Sequence, residues 1–420
     1  MDETIVAGII FLVTYAIIVS ERIDRTVAAL LGGLLMILLS VVDQETAFHA
    51  IDFNVIFLLM GMMVIANILS ETGLFQWIAI QAVILGNRNP FRILILLSLI
   101  TAVASAALDN VTVVVLIAPV TLFVANNLRI SPIPFLIAEV LASNIGGAST
   151  LIGDPPNILI GSAARIDFIT FAANMTPPII VALLLFMPAS YFIFRKDLVV
   201  EEGSRPHVTS LENLITDPVL LRKSLIVLAG VLVGFVFQGV LHLEPATIAL
   251  AGATVLMLWS RQEPHHVLQH VEWATLLFFV GLFIAVEALV KVGIIEQIAN
   301  QVFQLTRGNL PLTSMLILWL SAIASGIVDN IPYTATMIPL IKSLGQAGMP
   351  IDSLWWSLAL GADLGGNFTL VGASANVVVA NFAERSGYKI TFGLFLKYSF
   401  FITLISLFVA TVYVWLRYLS

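Results

Sequence analysis

One phrase occurs twice in this sequence, each time inside segments that are otherwise apolar. The first copy is Leu108-Asp109-Asn110-Val111-Thr112, then Pro119, then the run from Asn144 to Asn157 (NIGGASTLIGDPPN). The second is Val328-Asp329-Asn330-Ile331-Pro332, then Pro339, then the run from Asp363 to Asn376 (DLGGNFTLVGASAN). Each copy sets acids, amides, a Gly pair and a third Gly among oily neighbours. An Asp at a bilayer centre costs roughly 2.5–3.5 kcal/mol on insertion scales. Helix breakers add to that by freeing backbone polar groups. A cost met twice, at matching places, points to a two-fold site.

The bilayer enters through composition. Of 420 residues, 59% are apolar and 11% charged, whereas a soluble domain is about a quarter charged. With a mean hydropathy of +1.03, the chain reads as a polytopic membrane protein. The net charge of −7 says little, because the charges of such a protein sit in its loops. There is no Cys, which excludes disulfides, thiolate metal sites and Cys nucleophiles. The six His are scattered without ligand spacing, so no metal site and no cofactor are expected. Met1-Asp2-Glu3-Thr4 offers no basic segment of a signal peptide, and the first apolar run is expected to be a retained span.

A span needs about 20 apolar residues. Runs of that kind lie near 4–20, 26–42, 53–70, 134–162 (interrupted), 176–194, 223–241, 245–260, 273–292, 353–382 (interrupted) and 398–416. Two more, about 92–127 and 311–344, break at Asp-Asn. Each is either two spans or a re-entrant hairpin with Asp-Asn at its tip, and arms of about 15–18 residues favour the hairpin. With the N-terminus outside, fourteen Lys and Arg collect inside, among them Arg22, Arg25, Arg88, Arg195 and Arg205. Five stay outside: Arg165, Lys291, Arg307, Lys342 and Arg417. This positive-inside bias predicts a multi-pass protein of the cytoplasmic membrane with its N-terminus outside.

The repeat is long. Asp52 through Pro119 aligns with Glu272 through Pro339 at an offset of 220, and after one deletion Gly146, Thr150 and Asn157 match Gly365, Thr369 and Asn376 at 219. Five spans per half is an odd number, so the second half enters the membrane inverted. The predicted fold is an all-α polytopic membrane protein. It has about ten transmembrane helices in two inverted five-helix repeats, each with a re-entrant hairpin and a discontinuous helix. The first repeat is 1–195, a charged linker follows at 196–222, and the second repeat is 223–420. Inverted repeats whose broken helices meet near the midplane are the architecture of many secondary transporters. Matched stretches 74–85 and 294–305 also occur. The second sets Ile294, Ile295, Ile298, Val302 and Phe303 opposite Glu296, Asn300, Gln301 and Gln304, as an interfacial amphipathic helix would.

Four acids are the candidates for proton coupling: Asp109, Asp329, Asp363 and Asp154. Removing water from a carboxylate favours its neutral form, which suits a group that must take and give a proton. The competing reading of Asp109 and Asp329 is helix capping, with Asn330 as the cap in the second copy and Asp329 idle. Asp154, before Pro155-Pro156, could simply terminate a helix. Asp363 stands where the first half has Asn144, and Asp154 where the second half has Ala373, so the acids are not fully two-fold. The candidate substrate-binding groups are Asn110, Asn144, Gly146, Gly147, Ser149, Thr150, Asn157, Asn330, Gly365, Gly366, Asn367, Thr369, Ser374 and Asn376. Unwound Gly backbone exposes carbonyls and N–H groups, and half-helix N-termini aim positive dipole at the same place. Small residues also serve helix packing, but that alone does not ask for amides at the same offsets. Glu287 and Lys291, four apart, are expected to form a helix-face ion pair, and Glu139 to be interfacial.

The segments LDNVTVVVLIAP, NIGGASTLIGDPPN, DNIPYTATMIPL and GGNFTLVGASANVV together resemble the ion transporter superfamily. Within it the chain is similar to the ArsB-type arsenite permeases and the melanosomal P proteins, over about residues 52–416, and more distantly to NhaD-type antiporters. The resemblance implies a secondary transporter, not an enzyme. It would bind substrate between hairpin tips and unwound helices and export arsenite or antimonite against protons. Arsenious acid is largely uncharged and presents hydroxyls, which Asn, Ser, Thr and Gly backbone could hold without Cys. The alternatives are a sodium/proton antiporter or an anion permease of the same superfamily. No Arg or Lys lies within either motif, which speaks against a multiply charged anion. An intramembrane aspartyl protease is disfavoured, because the acids sit in Leu-Asp-Asn, Val-Asp-Asn and Gly-Ala-Asp-Leu rather than Tyr-Asp and Gly-x-Gly-Asp. The expected partners are protons, the small inorganic substrate and the lipid bilayer. A homodimer belongs with them, and, since no nucleotide-binding motif is present, ATP drive would need an accessory ATPase subunit. Nucleic acid is not among them.

Overall fold

The computed structural model describes residues 3–20, 22–87, 89–198 and 214–420, apart from the Asn127 side chain. Met1, Asp2, the inner charges Arg88 and Arg205, and linker residues 199–213 lie outside the described residues. The first half holds α1 (Glu3–Ser20), α2 (Arg25–Leu38), short α3 (Gln44–His49), α4 (Phe53–Ser70), α5 (Leu74–Leu85), α6 (Pro90–Ala107), α7 (Asn110–Leu128), α8 (Ile133–Gly147), α9 (Pro155–Ala164) and α10 (Phe168–Phe194). The second holds α11 (Pro218–Val236), one-turn α12 (Gln238–Leu241), α13 (Pro245–Ser260), α14 (Pro264–Gln269), α15 (Trp273–Lys291), α16 (Ile294–Thr306), α17 (Leu310–Ile327), α18 (Asn330–Gln346), α19 (Asp352–Gly365), α20 (Ser374–Arg385) and α21 (Phe392–Val414), closed by a π-turn at Trp415–Leu419. The protein is all-α and polytopic. Among the described residues, eight helices are long and apolar enough to cross a bilayer.

Once the one-turn α12 and the closing π-turn are set aside, the two lists match element for element. α3 and α14, and α6 and α17, are displaced by 220 residues at both ends, and the match extends back to α2 and α13, well before residue 52. The Asp-Asn breaks are hairpin turns. Leu108 and Asp109 are extended between α6 and α7, as Val328 is between α17 and α18, and an extended residue cannot carry the helix on. The interrupted spans break after Gly147 and Gly365 and restart at Pro155 and Ser374.

Helices from opposite halves form the frame. α2 packs on α15 and α4 on α13, two contacts related by the repeat. Both need a glycine: a Cβ on Gly281 would lie 2.4 Å from the Ala29 carbonyl carbon, and one on Gly61 2.7 Å from that of Ala249. Backbones this close are the membrane solution to helix packing, where dispersion replaces the hydrophobic effect. α16 is amphipathic as predicted. It buries Ile295 and Ala299 and exposes Glu296 and Asn300, although Ile298, assigned to its inner face, is exposed.

Two expectations need correcting. Lys291 Nζ reaches Asp43 at 2.9 Å rather than forming a helix-face hydrogen bond with Glu287, because the loop before α3 lies beside the end of α15. Glu139 is not interfacial: it is 3% exposed and accepts a hydrogen bond from Thr121 Oγ1 at 2.6 Å, since α8 is buried along its whole length.

Candidate functional site

The site is built on a backbone frame that obeys the two-fold. At each break an amide replaces the missing helix hydrogen bonds. Asn157 Nδ2 donates to Gly147 O at 3.4 Å and Thr150 O at 3.0 Å, and Asn376 Nδ2 donates to Gly366 O and Thr369 O at 2.9 Å each. Thr150 Oγ1 ties its break to Ala106 O at 2.6 Å, and Thr369 Oγ1 ties the other to Gly326 O at 2.5 Å. Each hairpin tip docks on a break: Asn110 N donates to Gly153 O at 3.1 Å and Asn330 N to Gly372 O at 3.2 Å. Backbone groups freed by unwinding thus find partners inside the protein, as they must at membrane depth.

The side chains depart from that symmetry. Asp109 caps α7, accepting from Thr112 N at 2.9 Å and from the Thr112 hydroxyl. Asp329, not Asn330, caps α18 through Ile331 N at 3.0 Å. The capping role is therefore realised at both tips. Asp329 Oδ2 also accepts from Arg25 at 3.0 Å and from Ser374 Oγ at 2.6 Å, and Arg25 bonds Ser374 as well. Asp154 occupies the cap position of α9 yet makes no capping bond. Its two oxygens instead accept from Asn110 Nδ2 at 2.8 Å and Asn330 Nδ2 at 3.4 Å, so one carboxyl holds both hairpin tips.

Asn144 joins the halves. Its Oδ1 accepts from Asn110 at 3.1 Å, and its Nδ2 donates to Asn367 Oδ1 at 2.8 Å and Asn376 Oδ1 at 2.9 Å. Asn367 in turn donates to Leu141 O at 3.2 Å. Asp363, fully buried, has no hydrogen-bond partner on either oxygen. The structure thus gathers Asn110, Asn144, Asp154, Asn157, Asn330, Asp363, Asn367 and Asn376 in one core, none more than 2% exposed. Gly146, Gly147, Gly365 and Gly366 supply the helix ends around it. Ser149 is turned away onto Gly146 O at 2.5 Å.

A cavity of about 790 Å³ lies beside the second hairpin tip, lined by Asp24, Arg25, Glu272, Thr275, Asp329 and Ser374 among others. A second, of about 610 Å³, is lined by Asn54, Ser162, Arg165, His242 and Glu244. The two are related by the repeat: Asp24 and Arg25 stand where the second cavity has Glu244 and Pro245, and Asn381 where it has Ser162. Only the first reaches a hairpin tip.

Arg25 and Glu272 line the larger cavity without belonging to either repeated motif. No local signal marks Arg25, which lies 304 positions from the Asp329 it pairs with. It is set by the first turn of α2. Asp24 caps that turn through Thr26 N at 2.8 Å and Val27 N at 3.4 Å. Partial burial works against the charge of Asp24, but these N–H groups and the adjacent Arg25 outweigh it and hold its carboxyl below the usual range.

Comparison with known proteins agrees with this architecture. A family model described as citrate transporter matches residues 15–361. A 46 kDa membrane protein of Mycobacterium leprae is 45% identical over 99% of both chains, and an uncharacterized transporter of Mycobacterium tuberculosis is 46% identical over the same shares. The human P protein is 35% identical, covering 95% of this chain and 58% of its own length. Among solved structures, the YdaH transporter of Alcanivorax borkumensis superposes with a TM-score of 0.59 at 16% identity, over 99% of this chain and 98% of that one, a likeness of fold alone.

Proposed function

The chain belongs to the CitMHS family, described as citrate transporter, and from that premise we propose that this membrane transporter is a proton-coupled carrier exporting a small hydroxyl-bearing solute, arsenite or antimonite, from the cytoplasm. Protons are carried by Asp154 and Asp363, and the solute is held by the surrounding amides and Gly backbone. The N-terminus lies outside in the cytoplasmic membrane, which makes the larger cavity the cytoplasmic entrance. The observation that carries this reading is the charge of the site. Asp109, Asp154, Asp329 and Asp363 converge there, and Arg25, the one cation among the described residues lining the larger cavity, is already paired with Asp329. An uncharged solute suits such a chamber better than an anion, which would meet several acids and no free cation. The test is arsenite uptake into everted vesicles. Uptake should collapse with a protonophore and fall at least tenfold in Asp154→Asn and Asp363→Asn. Uptake indifferent to both, at normal expression, overturns it.

A second reading has an observation of its own. Arg25, part-exposed in the larger cavity beside Ser374, could take a carboxylate as Asp329 now does, and the family description points to citrate. In that case Arg25→Gln abolishes citrate flux in the same vesicles, and arsenite does not compete with it.

A further inference from the structure

Asn144 and Asp363 are two-fold mates, and so are Asn376 and Asn157. Asn144 Nδ2 donates to Asn376 Oδ1 at 2.9 Å and fastens α8 of one half to α20 of the other. By the repeat, the mirror contact pairs the Asp363 carboxyl with Asn157 Oδ1 and would fasten α19 to α9. Yet Asp363 Oδ1, Asp363 Oδ2 and Asn157 Oδ1 are all buried without a hydrogen-bond partner. The amide is not free to turn. Its Nδ2 is committed to Gly147 O and Thr150 O, as that of Asn376 is to the matching carbonyls. Reversed, it would set an oxygen against two oxygens. An acceptor therefore faces a group that, as a carboxylate, offers only acceptors.

One hydrogen repairs the mismatch. We propose that Asp363 holds a proton in this conformation and donates it to Asn157 Oδ1, so that the acid acts as the mirror of the Asn144 amide. The inference rests on the carrier reading above and deepens it: it says which acid holds the coupling proton and what that proton does. Bound, it latches the broken helix of the second half to that of the first. Released to solvent, it leaves carboxylate lone pairs against Asn157 Oδ1 and a second negative charge within reach of Asp154, and the latch opens. Other titratable groups on the elements packed against α19 are Asp154 at the cap of α9, Glu139 on α8 bonded to Thr121, Asp329 at the cap of α18, paired with Arg25, and Tyr333 and Lys342 along it. α10 and α21 bring tyrosines and Lys397, and α17 brings none. Asn157 is the group whose orphaned acceptor meets Asp363.

Infrared spectra of the full chain in lipid nanodiscs, recorded without substrate, test this. At neutral pH the wild type should show a protonated-carboxyl carbonyl band that is lost in Asp363→Asn and moves to higher frequency in Asn157→Ala. Asp363→Asn should keep the wild-type melting temperature, because an amide still donates, whereas Asp363→Leu should lower it. The latch is overturned if Asp363→Asn removes no band, if the band ignores Asn157→Ala, or if the Leu variant melts with the Asn variant. These readings stand apart from the flux assay. The band without proton-driven flux would sink the carrier reading alone, and flux without the band would sink the latch alone.

Discussion

The two halves share a backbone and divide the chemistry. Each hairpin docks on the break of its own half, and the same four backbone and amide contacts recur in both halves. Asp109 and Asp329 are matched, but three charged groups sit once each: Asp154 opposite Ala373, Asp363 opposite Asn144, and Arg25 opposite Pro245. The cavities follow suit. The one beside Arg25 reaches Asp329 and Ser374, and its mate stops at Leu151 and Ile158. Geometry is thus held by groups the repeat preserves, while charge is placed where the repeat has diverged.

The largest effect should come from the frame, and it should be equal on both sides. A Cβ on Gly146 would meet Ala102 O at 2.1 Å, and one on Gly365 would meet Ala322 O at 2.4 Å. These are backbone atoms between packed helices and cannot yield, so Gly146→Val and Gly365→Val should each cost at least the ~1–3 kcal/mol of an overpacked core. Melting temperature and the monodisperse fraction in detergent measure it. A collapse on one side only would break the comparison at its root.

The acids should then separate. Asp154→Asn turns one of two acceptors into a donor that faces Asn110 or Asn330, leaving a buried mismatch of roughly 1–3 kcal/mol. Asp109→Asn removes only a charge from a cap, and Asn caps about as well as Asp, so its change should be a few tenths of a kcal/mol. Thermal midpoints of the two variants decide. A fall in Asp109→Asn as large as in Asp154→Asn would mean that the first tip does more than cap its helix.

The frame was legible because breakers are local. Pro, Gly and Asp-Asn inside oily runs placed α6 and α17 within two residues of their observed starts, and the offset of 220 carried one half onto the other. The core amides were legible for the same reason, since Asn157 and Asn376 bond carbonyls only seven and ten residues away. The contacts that set charge span the chain. Arg25 meets Asp329, Asn144 meets Asn367, and Lys291 meets Asp43 across more than 200 residues, and no periodicity predicts such pairs. Arg25 was hidden further because its mate is a proline, so the repeat gave it no echo. Asp154 was legible as a polar stop but not as a bridge, because a residue before Pro-Pro looks like a cap whether or not it makes the bond.

The smallest expected effect compares the first turns of α2 and α13, which open the two cavities. Asp24 caps α2 through two N–H groups, whereas Glu244, its mate, makes no capping bond before Pro245. Loss of a cap costs about 1 kcal/mol, so Asp24→Ala should lower stability by that order and Glu244→Ala by less than the ~0.5 kcal/mol of an ordinary surface change. The pH dependence has a definite sign. Asp24 titrates below the usual carboxylate range, so its contribution is complete above the unfolded value of ~3.9 and is lost as pH falls through the lowered folded value. Melting curves of the wild type and Asp24→Ala should therefore differ at neutral pH and converge in acid. A gap that persists in acid would mean that Asp24 holds α2, and Arg25 with it, by something other than its charge.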